Sequence, residues 1–257
     1  MTRLEPVTVV SGLGNCAGTG AAVAKVFASN GHRVALVSRP RHEVDRLRDE
    51  ITQGGGKAEV FSVDEYDYDS ILDVFERIKS TWSDARIKCC VWNTAQWSNI
   101  PFLEITKADI ERSTRINIIS STAFSQAAVR AFTAPGSDGD RGGTLIMTGA
   151  TSALRGKEGF GAFAAGKHGL RALSQSIARE YAPQGVHVAF VIVDGTIRTK
   201  RIEKMFGNRP DKERNWLDDE KQRLSPESIA KAYWYLHEQS PDAWTLELDL
   251  RPAKEHF

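Results

Sequence analysis

The sequence predicts an α/β fold, a doubly wound parallel sheet of about seven strands with helices on both faces, in one domain over residues 1–257. Apolar, β-branched runs alternate along the whole chain with segments of helical periodicity, as in strands joined by crossover helices. The first strand is followed by a glycine-dense loop and a helix within Val7–Phe27. No linker-like stretch or block of charge divides the chain, so we expect a single domain.

Charge and cysteine content favour a small-molecule partner and a reducing compartment. Lys and Arg number 34 against 33 Asp and Glu, so the net charge of +1 gives no electrostatic reason to expect nucleic acid or an anionic membrane. Cys16, Cys89 and Cys90 are odd in number for disulfides and lack zinc-site spacing, so we expect no metal. The first residues, MTRLEPV, contain no signal-peptide run, no stretch resembles a membrane span, and the last residues, EHF, are not a peroxisomal address. We therefore expect a cytoplasmic protein.

The glycine-dense loop has the composition of a nucleotide cradle. Gly14, Gly18 and Gly20 follow the spacing G-x-x-x-G-x-G between a buried strand and a helix. Glycine lets the backbone turn tightly against a pyrophosphate, and the N–H groups at the start of the helix can hold its charge. We therefore predict a dinucleotide-binding loop, the alternative being a glycine-rich turn with no ligand. The other cofactor-binding candidates in this loop are Gly12, Asn15 and Thr19.

The end of the second strand, His32–Ser38, indicates which dinucleotide binds. An NAD site usually has a carboxylate about 20 residues beyond the glycines, where it accepts a hydrogen bond from the ribose 2′-hydroxyl. This chain has Ser38 and Arg39 instead, and the guanidinium donors of arginine match the oxygens of a 2′-phosphate. We therefore predict NADPH/NADP+ as the cofactor. The alternative is that Arg39 and Arg41 are solvated side chains at the start of the next helix.

The next two strands also end in polar residues. The third, Ala58–Ser62, is followed by Asp64, which could accept a hydrogen bond from the adenine amino group or cap the helix that begins near Ser70. The fourth, Ile87–Trp92, is a nearly continuous apolar run, as expected at the centre of a parallel sheet. The polar segment that follows it is Asn93, Thr94 and Ala95.

The remaining elements continue the alternation. A long helix is predicted from about Thr106 to Phe132, with Asn117 near its middle. Asparagine is mildly unfavourable inside a helix and usually faces solvent, so Asn117 taken alone means little. Ser225 and the proline after it suit the start of the last helix. The later predicted elements are strand Gly143–Thr148, helix Phe160–Tyr181, strand His187–Val193 and strand Ala243–Leu250.

In this order, the motifs resemble those of the short-chain dehydrogenase/reductase superfamily over nearly the whole chain. The glycine loop is similar to the family's T-G-x-x-x-G-x-G, and the segment 93–95 is similar to its N-N-A-G. Asn117 falls where the family has the asparagine of its catalytic helix. The resemblance implies a Rossmann-like fold, a nicotinamide cofactor, and a homodimer or homotetramer formed through the helices of Asn117 and Lys167.

Two of the family's catalytic side chains are absent from their usual positions. The family has a serine at the end of the fifth strand and, thirteen residues later, a tyrosine in a Y-x-x-x-K motif. This chain has Phe163 and Lys167 in that motif, and Ala150 at the serine position. The resemblance implies that Lys167 holds the nicotinamide ribose, the alternative being a solvated lysine. The catalytic candidates at or beside these positions are Asn117, Ala150, Thr151, Ser152, Phe163 and Lys167.

The segment after the sixth strand is similar to the family's P-G-x-x-x-T, whose backbone and threonine meet the nicotinamide amide. Gly195 and Thr199 match, Ile197 lies between them, and Asp194 replaces the proline. Asp194 could be a substitute acid if desolvation raised its pKa, or it could cap the following turn. Residues from about 198 to 224 correspond to the family's substrate lid. Large apolar residues there and after the fourth strand could contact a bulky substrate or pack the lid on the body; they are Trp97, Met205, Phe206 and Trp216.

The missing tyrosine limits the reaction more than the fold. Hydride addition to a ketone forms an alkoxide, which needs a proton donor that typically contributes about 10²–10⁴ in rate, and Phe163 donates nothing. An iminium needs no proton, and hydroxyls such as those of Thr151 or Ser152 could hold an enolate. We therefore expect NADPH-dependent reduction of an activated C=N or C=C bond, with carbonyl reduction second. The alternatives are a non-redox cyclase or isomerase, and a pseudoenzyme that binds NADP(H).

Overall fold

Seven strands form one sheet in the computed structural model, which describes residues 4–135, 141–199, 202–204, 219 and 221–254. The strands are β1 (Glu5–Ser11), β2 (Arg33–Ser38), β3 (Lys57–Ser62), β4 (Ala85–Trp92), β5 (Gly143–Thr148), β6 (Val186–Val193) and β7 (Glu247–Leu250). Their order in the sheet is β3-β2-β1-β4-β5-β6-β7, and every neighbouring pair is parallel. The chain order reverses between β1 and β4, so the sheet is doubly wound as predicted.

Helices cover both faces of this sheet. They are α1 (Thr19–Ser29), α2 (His42–Gln53), α3 (Tyr68–Thr81), α4 (Lys107–Thr114), α5 (Ser121–Thr133), α6 (Gly161–Tyr181) and α7 (Pro226–Glu238). On one face α1, α2 and α7 pack on the sheet, with Phe27 and Tyr233 fully buried in that cluster. On the other face α3, α5 and α6 pack around Phe75 and Phe124. None of the helices that the structure describes is long and apolar enough to cross a membrane.

The burial of the strands follows from this two-sided cover. All eight residues of β6, VHVAFVIV, are buried, because a central parallel strand has helices against both of its faces. The outer strands β3 and β7 are partly exposed. At the carboxyl edge the strands end within a few residues of one another, with Ser11 of β1 beside Trp92 of β4 and Thr148 of β5 beside Val191 of β6. The residues that follow these strands therefore meet at one edge of the sheet.

The predicted long helix from Thr106 to Phe132 is confirmed as a continuous helical run, but six residues in its middle are π-helical rather than α-helical. Thr106 caps α4, and its side chain forms a capping box with Asp109. The six residues Arg115–Ser120 are π-helical, and α5 follows them directly. A π-helical segment contains an extra residue per turn and is rare outside functional sites. Here it contains Asn117.

Two further predictions about element ends are corrected. Asp64 does not cap α3, because the cap is Asp67, whose side chain accepts a hydrogen bond from the N–H of Ser70 at 2.8 Å. The last strand is shorter than the predicted Ala243–Leu250, because Pro241–Ala243 forms a 3₁₀ turn and β7 begins at Glu247. The start of α7 is as predicted, with Ser225 as its cap.

Candidate active site

Gly12 directly follows β1 and lies against the segment after β4. Its φ is +89°, and a Cβ there would lie 2.4 Å from the backbone of Asn93 and Thr94. Nδ2 of Asn93 donates to the carbonyl oxygen of Gly12 at 2.7 Å, and the hydroxyls of Thr94 and Ser11 lie 2.5 Å apart. A Cβ on Gly20 would lie only 2.6 Å from the carbonyl oxygen of Gly12. Backbone packing alone therefore requires glycine at positions 12 and 20.

The start of α1 is suited to an anion. Gly18 is the N-cap residue; within the described residues no side chain caps this helix, and its first turn contains no acidic residue. Oγ1 of Thr19 is buried and has no hydrogen-bond partner among the residues that the structure describes. Asn15, in the same loop, accepts a hydrogen bond from the N–H of Ala17 at 3.3 Å. An uncapped helix start together with an unpartnered hydroxyl fits the pyrophosphate of a dinucleotide.

Several cofactor-binding candidates line one cleft of about 230 Å³ at the strand ends. Arg39 and Arg41 are exposed there, and neither makes an ion pair with a described residue. Sequence analysis missed Tyr66, whose hydroxyl donates to the carbonyl oxygen of Val37 at 3.2 Å and whose pKa is raised by burial. The residues that line the cleft are Gly12, Gly14, Ser38, Arg39, Arg41, Tyr66, Asn93, Thr94 and Ala95.

The two polar residues predicted beside this cleft differ in their positions. Asp64 is exposed and is not among the residues that line it. Ser38 does line it, but its hydroxyl donates to the carbonyl oxygen of Arg39 at 3.0 Å. Because that proton is already used, the donors that this end of the cleft offers to a phosphate are the guanidinium groups of Arg39 and Arg41.

Lys167 lies buried on α6 with its ammonium group against the end of β5. The residue is 2% exposed, and Nζ donates to the carbonyl oxygen of Thr148 at 2.8 Å. Burial lowers the pKa of Lys167 to about 8, because the ammonium group loses its hydration. The alternative of a solvated lysine is therefore wrong. Two of its three N–H bonds remain for other partners.

The π-helical turn places Asn117 against α6. A Cβ on Gly166, the neighbour of Lys167, would lie 2.7 Å from Nδ2 of Asn117 and 2.6 Å from Oγ of Ser113. Nδ2 of Asn117 donates to the carbonyl oxygen of Ser113 at 3.1 Å, whereas Oδ1 is buried and has no partner in the described part of the chain. Sequence analysis missed Ser113, which donates to the carbonyl oxygen of Ala162 at 2.7 Å and so ties α4 to α6. A buried amide with an unused acceptor is suited to a bound water or ligand.

Three aromatic rings form a row beside Lys167. The ring of Phe163 lies 5.9 Å from Nζ of Lys167 and is 6% exposed. Its centre is 6.3 Å from that of Phe160, which in turn makes an edge-to-face contact with Trp97 at 5.9 Å. Trp97 is 48% exposed, so the row runs from the surface to the buried lysine. Neither phenylalanine can donate a proton.

The turn after β5 brings Thr151 against Asp194. Ala150 is extended, and Ser152 is buried in the turn that follows. Oγ1 of Thr151 donates to Oδ1 of Asp194, which is 1% exposed and whose Oδ2 lies 2.7 Å from Nη1 of Arg251. Both oxygens of Asp194 therefore contact other side chains, and its role as a substitute acid stays a prediction.

Comparison with known proteins identifies the family. A family model described as enoyl-(acyl carrier protein) reductase matches residues 12–245. The chain is a short-chain dehydrogenase/reductase of this family. It is 27% identical over 211 residues to the uncharacterized oxidoreductase YxbG of Bacillus subtilis (strain 168). The matched residues cover 81% of this chain and 73% of that relative. A short-chain dehydrogenase from Rhodopseudomonas palustris has a similar structure, with a TM-score of 0.76 and 29% identity over 98% of this chain and 100% of the other.

The likeness extends to structures of lower sequence identity. A 3-oxoacyl (acyl-carrier-protein) reductase from Agrobacterium tumefaciens C58, with NADP bound, has a TM-score of 0.82 at 22% identity, over 95% of this chain and 93% of that one. At that identity the comparison shows the fold alone. The predicted Rossmann-like fold and the resemblance to the superfamily are confirmed, and the chain is an oxidoreductase of this family.

In this short-chain dehydrogenase/reductase the segment after β6 approaches the glycine loop. Gly195 has a φ of +147°, and Ile197 pairs with Leu224 in an isolated bridge. A Cβ on Gly18 would lie 3.5 Å from Cγ2 of Thr199, so Thr199 lies beside the start of α1. Residues 200–201, 205–218 and 220 of the predicted lid lie outside the described residues. The residues Met205, Phe206 and Trp216 are among them.

A larger cleft of about 1100 Å³ lies at the opposite end of the strands. It is lined by residues such as His32, Thr144 and His187, and it contains none of the predicted site residues. Ligands of open parallel sheets bind at the carboxyl ends of the strands. The smaller cleft beside the glycine loop is therefore the one at the end of the sheet where ligands of this architecture bind.

Proposed function

We propose that this short-chain dehydrogenase/reductase is an NADPH-dependent reductase that works without the tyrosine and serine of its family. Its substrate is a bulky, partly apolar small molecule with an activated C=N or C=C bond, and carbonyl reduction is secondary. The observation that carries this proposal is the contact between Lys167 and Phe163, whose ring centre lies 5.9 Å from Nζ. At that position the ring has no proton to give.

The residues at the strand ends fit NADPH, which supplies a hydride when it is bound. The N–H groups at the start of α1 and the hydroxyl of Thr19 would hold the pyrophosphate. Arg39 and Arg41 would hold the 2′-phosphate, and Lys167 would hold the nicotinamide ribose with its remaining N–H bonds. The related reductase from Agrobacterium tumefaciens, which has NADP bound, supports the same choice of cofactor.

Few groups at this site can donate a proton to a developing oxyanion. Ala150 and Phe163 carry no polar hydrogen, and the proton of Thr151 is donated to Asp194. Lys167 lies beside Phe163, but in this proposal its remaining N–H bonds hold the nicotinamide ribose. Reduction of a simple ketone would therefore leave an alkoxide without a positioned acid. Reduction of an iminium gives a neutral amine directly, and an enolate is a weaker base than an alkoxide. The hydroxyl of Ser152 is the remaining group of this turn that could stabilise an enolate.

The aromatic row favours a substrate with an apolar body. Trp97, Phe160 and Phe163 offer ring surface in sequence from the exterior to Lys167. Such surface binds aromatic and aliphatic groups, and its ring faces also attract a cationic carbon–nitrogen centre. A bulky molecule with an iminium at one end matches both properties.

Calorimetry followed by an activity screen tests this function. NADPH and NADH are titrated separately, and NADPH oxidation is then followed by absorbance with iminium, enone and plain carbonyl substrates. We expect tighter binding of NADPH and turnover of iminium or enone compounds. Binding without turnover of any substrate would favour a scaffold or sensor role, and absence of binding would contradict the assignment of the glycine loop.

We also propose that the protein is a homodimer or homotetramer formed through the helices that contain Asn117 and Lys167. Ile119, in the π-helical segment, is 45% exposed, as is Ile110 on α4. Contact with a second copy would cover such apolar surface. Light scattering during gel filtration measures the mass, and a stable monomer would contradict this part of the proposal.

A further inference from the structure

The hydroxyl of Thr151 is held by a buried ion pair. Its proton is donated to Oδ1 of Asp194, and the other carboxylate oxygen lies 2.7 Å from Nη1 of Arg251. Asp194 is 1% exposed, whereas Thr151 is partly exposed. Thr151 is therefore the member of this trio that offers a hydroxyl to a ligand, and the other two lie behind it.

The three residues are connected by the sheet itself. Thr151, Asp194 and Arg251 follow the carboxyl ends of β5, β6 and β7, which are neighbours in the sheet. The N–H of Asp194 donates to the carbonyl oxygen of Leu250 at 2.9 Å, and the N–H of Gly149 donates to that of Val191 at 2.7 Å. Backbone ladders therefore fix the spacing between the three side chains. The geometry at Thr151 is part of the rigid scaffold.

This arrangement determines the polarity of the Thr151 hydroxyl. A hydroxyl has one proton and two lone pairs, and Thr151 uses its proton on the carboxylate. Toward a ligand its oxygen can only accept a hydrogen bond. Ala150, immediately before it, contributes no polar side chain. Thr151 therefore presents an acceptor, which repels a developing oxyanion and attracts an N–H group.

We propose that Thr151 accepts a hydrogen bond from the N–H of a protonated imine, and that Asp194 and Arg251 are positioning residues that hold its hydroxyl in this orientation. The proposal rests on the proposed reductase function and narrows its substrate class from C=N or C=C to imines that carry a hydrogen on nitrogen. In the reduction, the imine carbon would take up the hydride that NADPH supplies as it is oxidised to NADP+, and the π-electron pair of the C=N bond would become the nitrogen lone pair. The product is a neutral amine, and no proton is consumed.

The first test compares two iminium substrates that differ only in that hydrogen. A protonated cyclic imine has an N–H, and its N-methyl iminium analogue has none. We expect the wild-type protein to reduce the N–H compound with a kcat/KM about tenfold or more higher, because a charged hydrogen bond is lost in the analogue. Thr151→Val should remove this preference, and Thr151→Ser, which keeps the hydroxyl, should retain it.

A binding measurement tests the same contact without turnover. Pyrrolidinium and N,N-dimethylpyrrolidinium are titrated calorimetrically into the protein loaded with NADP+. We expect the wild-type protein to bind pyrrolidinium about tenfold more tightly than N,N-dimethylpyrrolidinium. Thr151→Val should bind the two cations with equal affinity. Equal affinities of the two cations for the wild-type protein would overturn the proposal.

Substitutions of Asp194 and Arg251 test whether these residues hold the Thr151 hydroxyl as a hydrogen-bond acceptor toward the ligand. In Asp194→Asn the amide can donate to Thr151, which frees the hydroxyl proton toward the ligand, so the preference for pyrrolidinium should fall to near unity. Arg251→Gln should weaken the preference for pyrrolidinium over N,N-dimethylpyrrolidinium. Arg251→Lys, which keeps a cation at this position, should retain that preference. Asp242→Asn, which removes a carboxylate from an exposed position, is the matched control. If Asp194→Asn does not fold, the comparison of Arg251→Gln with Arg251→Lys decides whether the ion pair orients the Thr151 hydroxyl.

The outcomes separate this inference from the function on which it rests. If both iminium compounds are reduced equally well and Thr151→Val changes nothing, the reductase function stands and the role of Thr151 is overturned. If no substrate is reduced, the proposed function fails. The calorimetric pair still decides whether Thr151 accepts a hydrogen bond from an N–H group.

Discussion

The ammonium nitrogen of Lys167 lies 5.9 Å from the centre of the Phe163 ring, one helical turn away on α6. It donates to the carbonyl oxygen of Thr148 at 2.8 Å, and its pKa is lowered to about 8 by burial. A buried cation between an apolar ring and a backbone carbonyl is costly to the fold. Such a group is more readily explained by a function at the site than by stability.

Lys167→Met should stabilise the protein and abolish turnover. The folded-state pKa of about 8 lies below the ordinary 10.5, so at pH 7 the unfolded chain holds the proton more tightly and the charge destabilises the fold. Methionine keeps the chain length without the charge. We expect the free energy of unfolding at pH 7, measured with urea, to rise by about 1–3 kcal/mol.

The pH dependence of this effect provides its control. Above pH 10.5 the lysine is neutral in both states, so the difference between Lys167→Met and the wild type should vanish there. Lys157→Met, at an exposed position, should change the free energy of unfolding by less than about 0.5 kcal/mol. A Lys167→Met protein that is less stable at pH 7 would show that the buried charge is compensated.

Arg39→Ala and Arg41→Ala should weaken binding of NADPH and leave NADH almost unaffected. Both guanidinium groups belong to the cleft at the end of β2, and the 2′-phosphate is the group that distinguishes the two cofactors. We expect each substitution to raise the Kd for NADPH about tenfold, and high salt to reduce the difference. Arg46→Ala removes the same charge from an exposed position of α2 and is the matched control. Equal losses for NADPH and NADH would contradict the assignment.

Two buried histidines should make the fold sensitive to acid. The ring centres of His32 and His237 are 5.0 Å apart. The ring of His32 is hydrogen-bonded to the hydroxyl of Thr8, and that of His237 to the hydroxyl of Thr144. Burial, and then the proximity of other cationic groups, lowers their pKa values from 6.5 to about 3 and about 4. Between pH 6.5 and 4 the unfolded state therefore binds more protons than the folded state, and stability is lost as the pH falls.

Urea unfolding across this range measures the effect. Each histidine contributes a slope of up to about 1.4 kcal/mol per pH unit below pH 6.5. His237→Asn should reduce the slope, and the contributions of His32 and of His187, whose pKa is also lowered by burial, should remain. His42→Asn, at an exposed position, should leave it unchanged. A wild-type free energy of unfolding that stays level from pH 6.5 to 4 would contradict the account.

The glycine loop predicts unequal effects for two alanine substitutions. In Gly20→Ala the new Cβ would lie 2.6 Å from the carbonyl oxygen of Gly12, and both backbones are fixed. We expect a loss of roughly 1–3 kcal/mol in the free energy of unfolding. In Gly18→Ala the nearest atom is 3.5 Å away on Thr199, so the loss should be well under 1 kcal/mol, about the difference between glycine and alanine as caps. Equal losses would show that packing does not distinguish the two glycines.

The sequence was sufficient to predict the sheet and to place several of the polar and glycine residues that line the cleft at its carboxyl edge. The alternation of apolar strands and helical periodicity has one common solution, a parallel sheet with helices on both faces. The residues that follow parallel strands meet at one edge, so Gly12, Ser38 and Asn93 could be placed together before any coordinates were known.

The parts that sequence could not predict depend on contacts between distant elements. The π-helical turn at Asn117 requires an extra residue per turn, which a 3.6-residue periodicity does not reveal. The pairing of Asp194 with Arg251 joins residues that follow different strands, and no local pattern marks it. Tyr66 lines the cleft from an irregular loop, where side-chain direction depends on the folded backbone.

The most direct test of the central claim is the effect of Phe163→Tyr on the ratio of kcat/KM for an iminium to that for a plain ketone. We predict that the wild-type protein strongly favours the iminium. The new hydroxyl beside Lys167 should raise ketone reduction by about 10–10² while iminium reduction changes little, and Phe160→Tyr, as the matched control, should leave both rates near their wild-type values. Efficient ketone reduction by the wild-type protein, unchanged in Phe163→Tyr, would contradict the account.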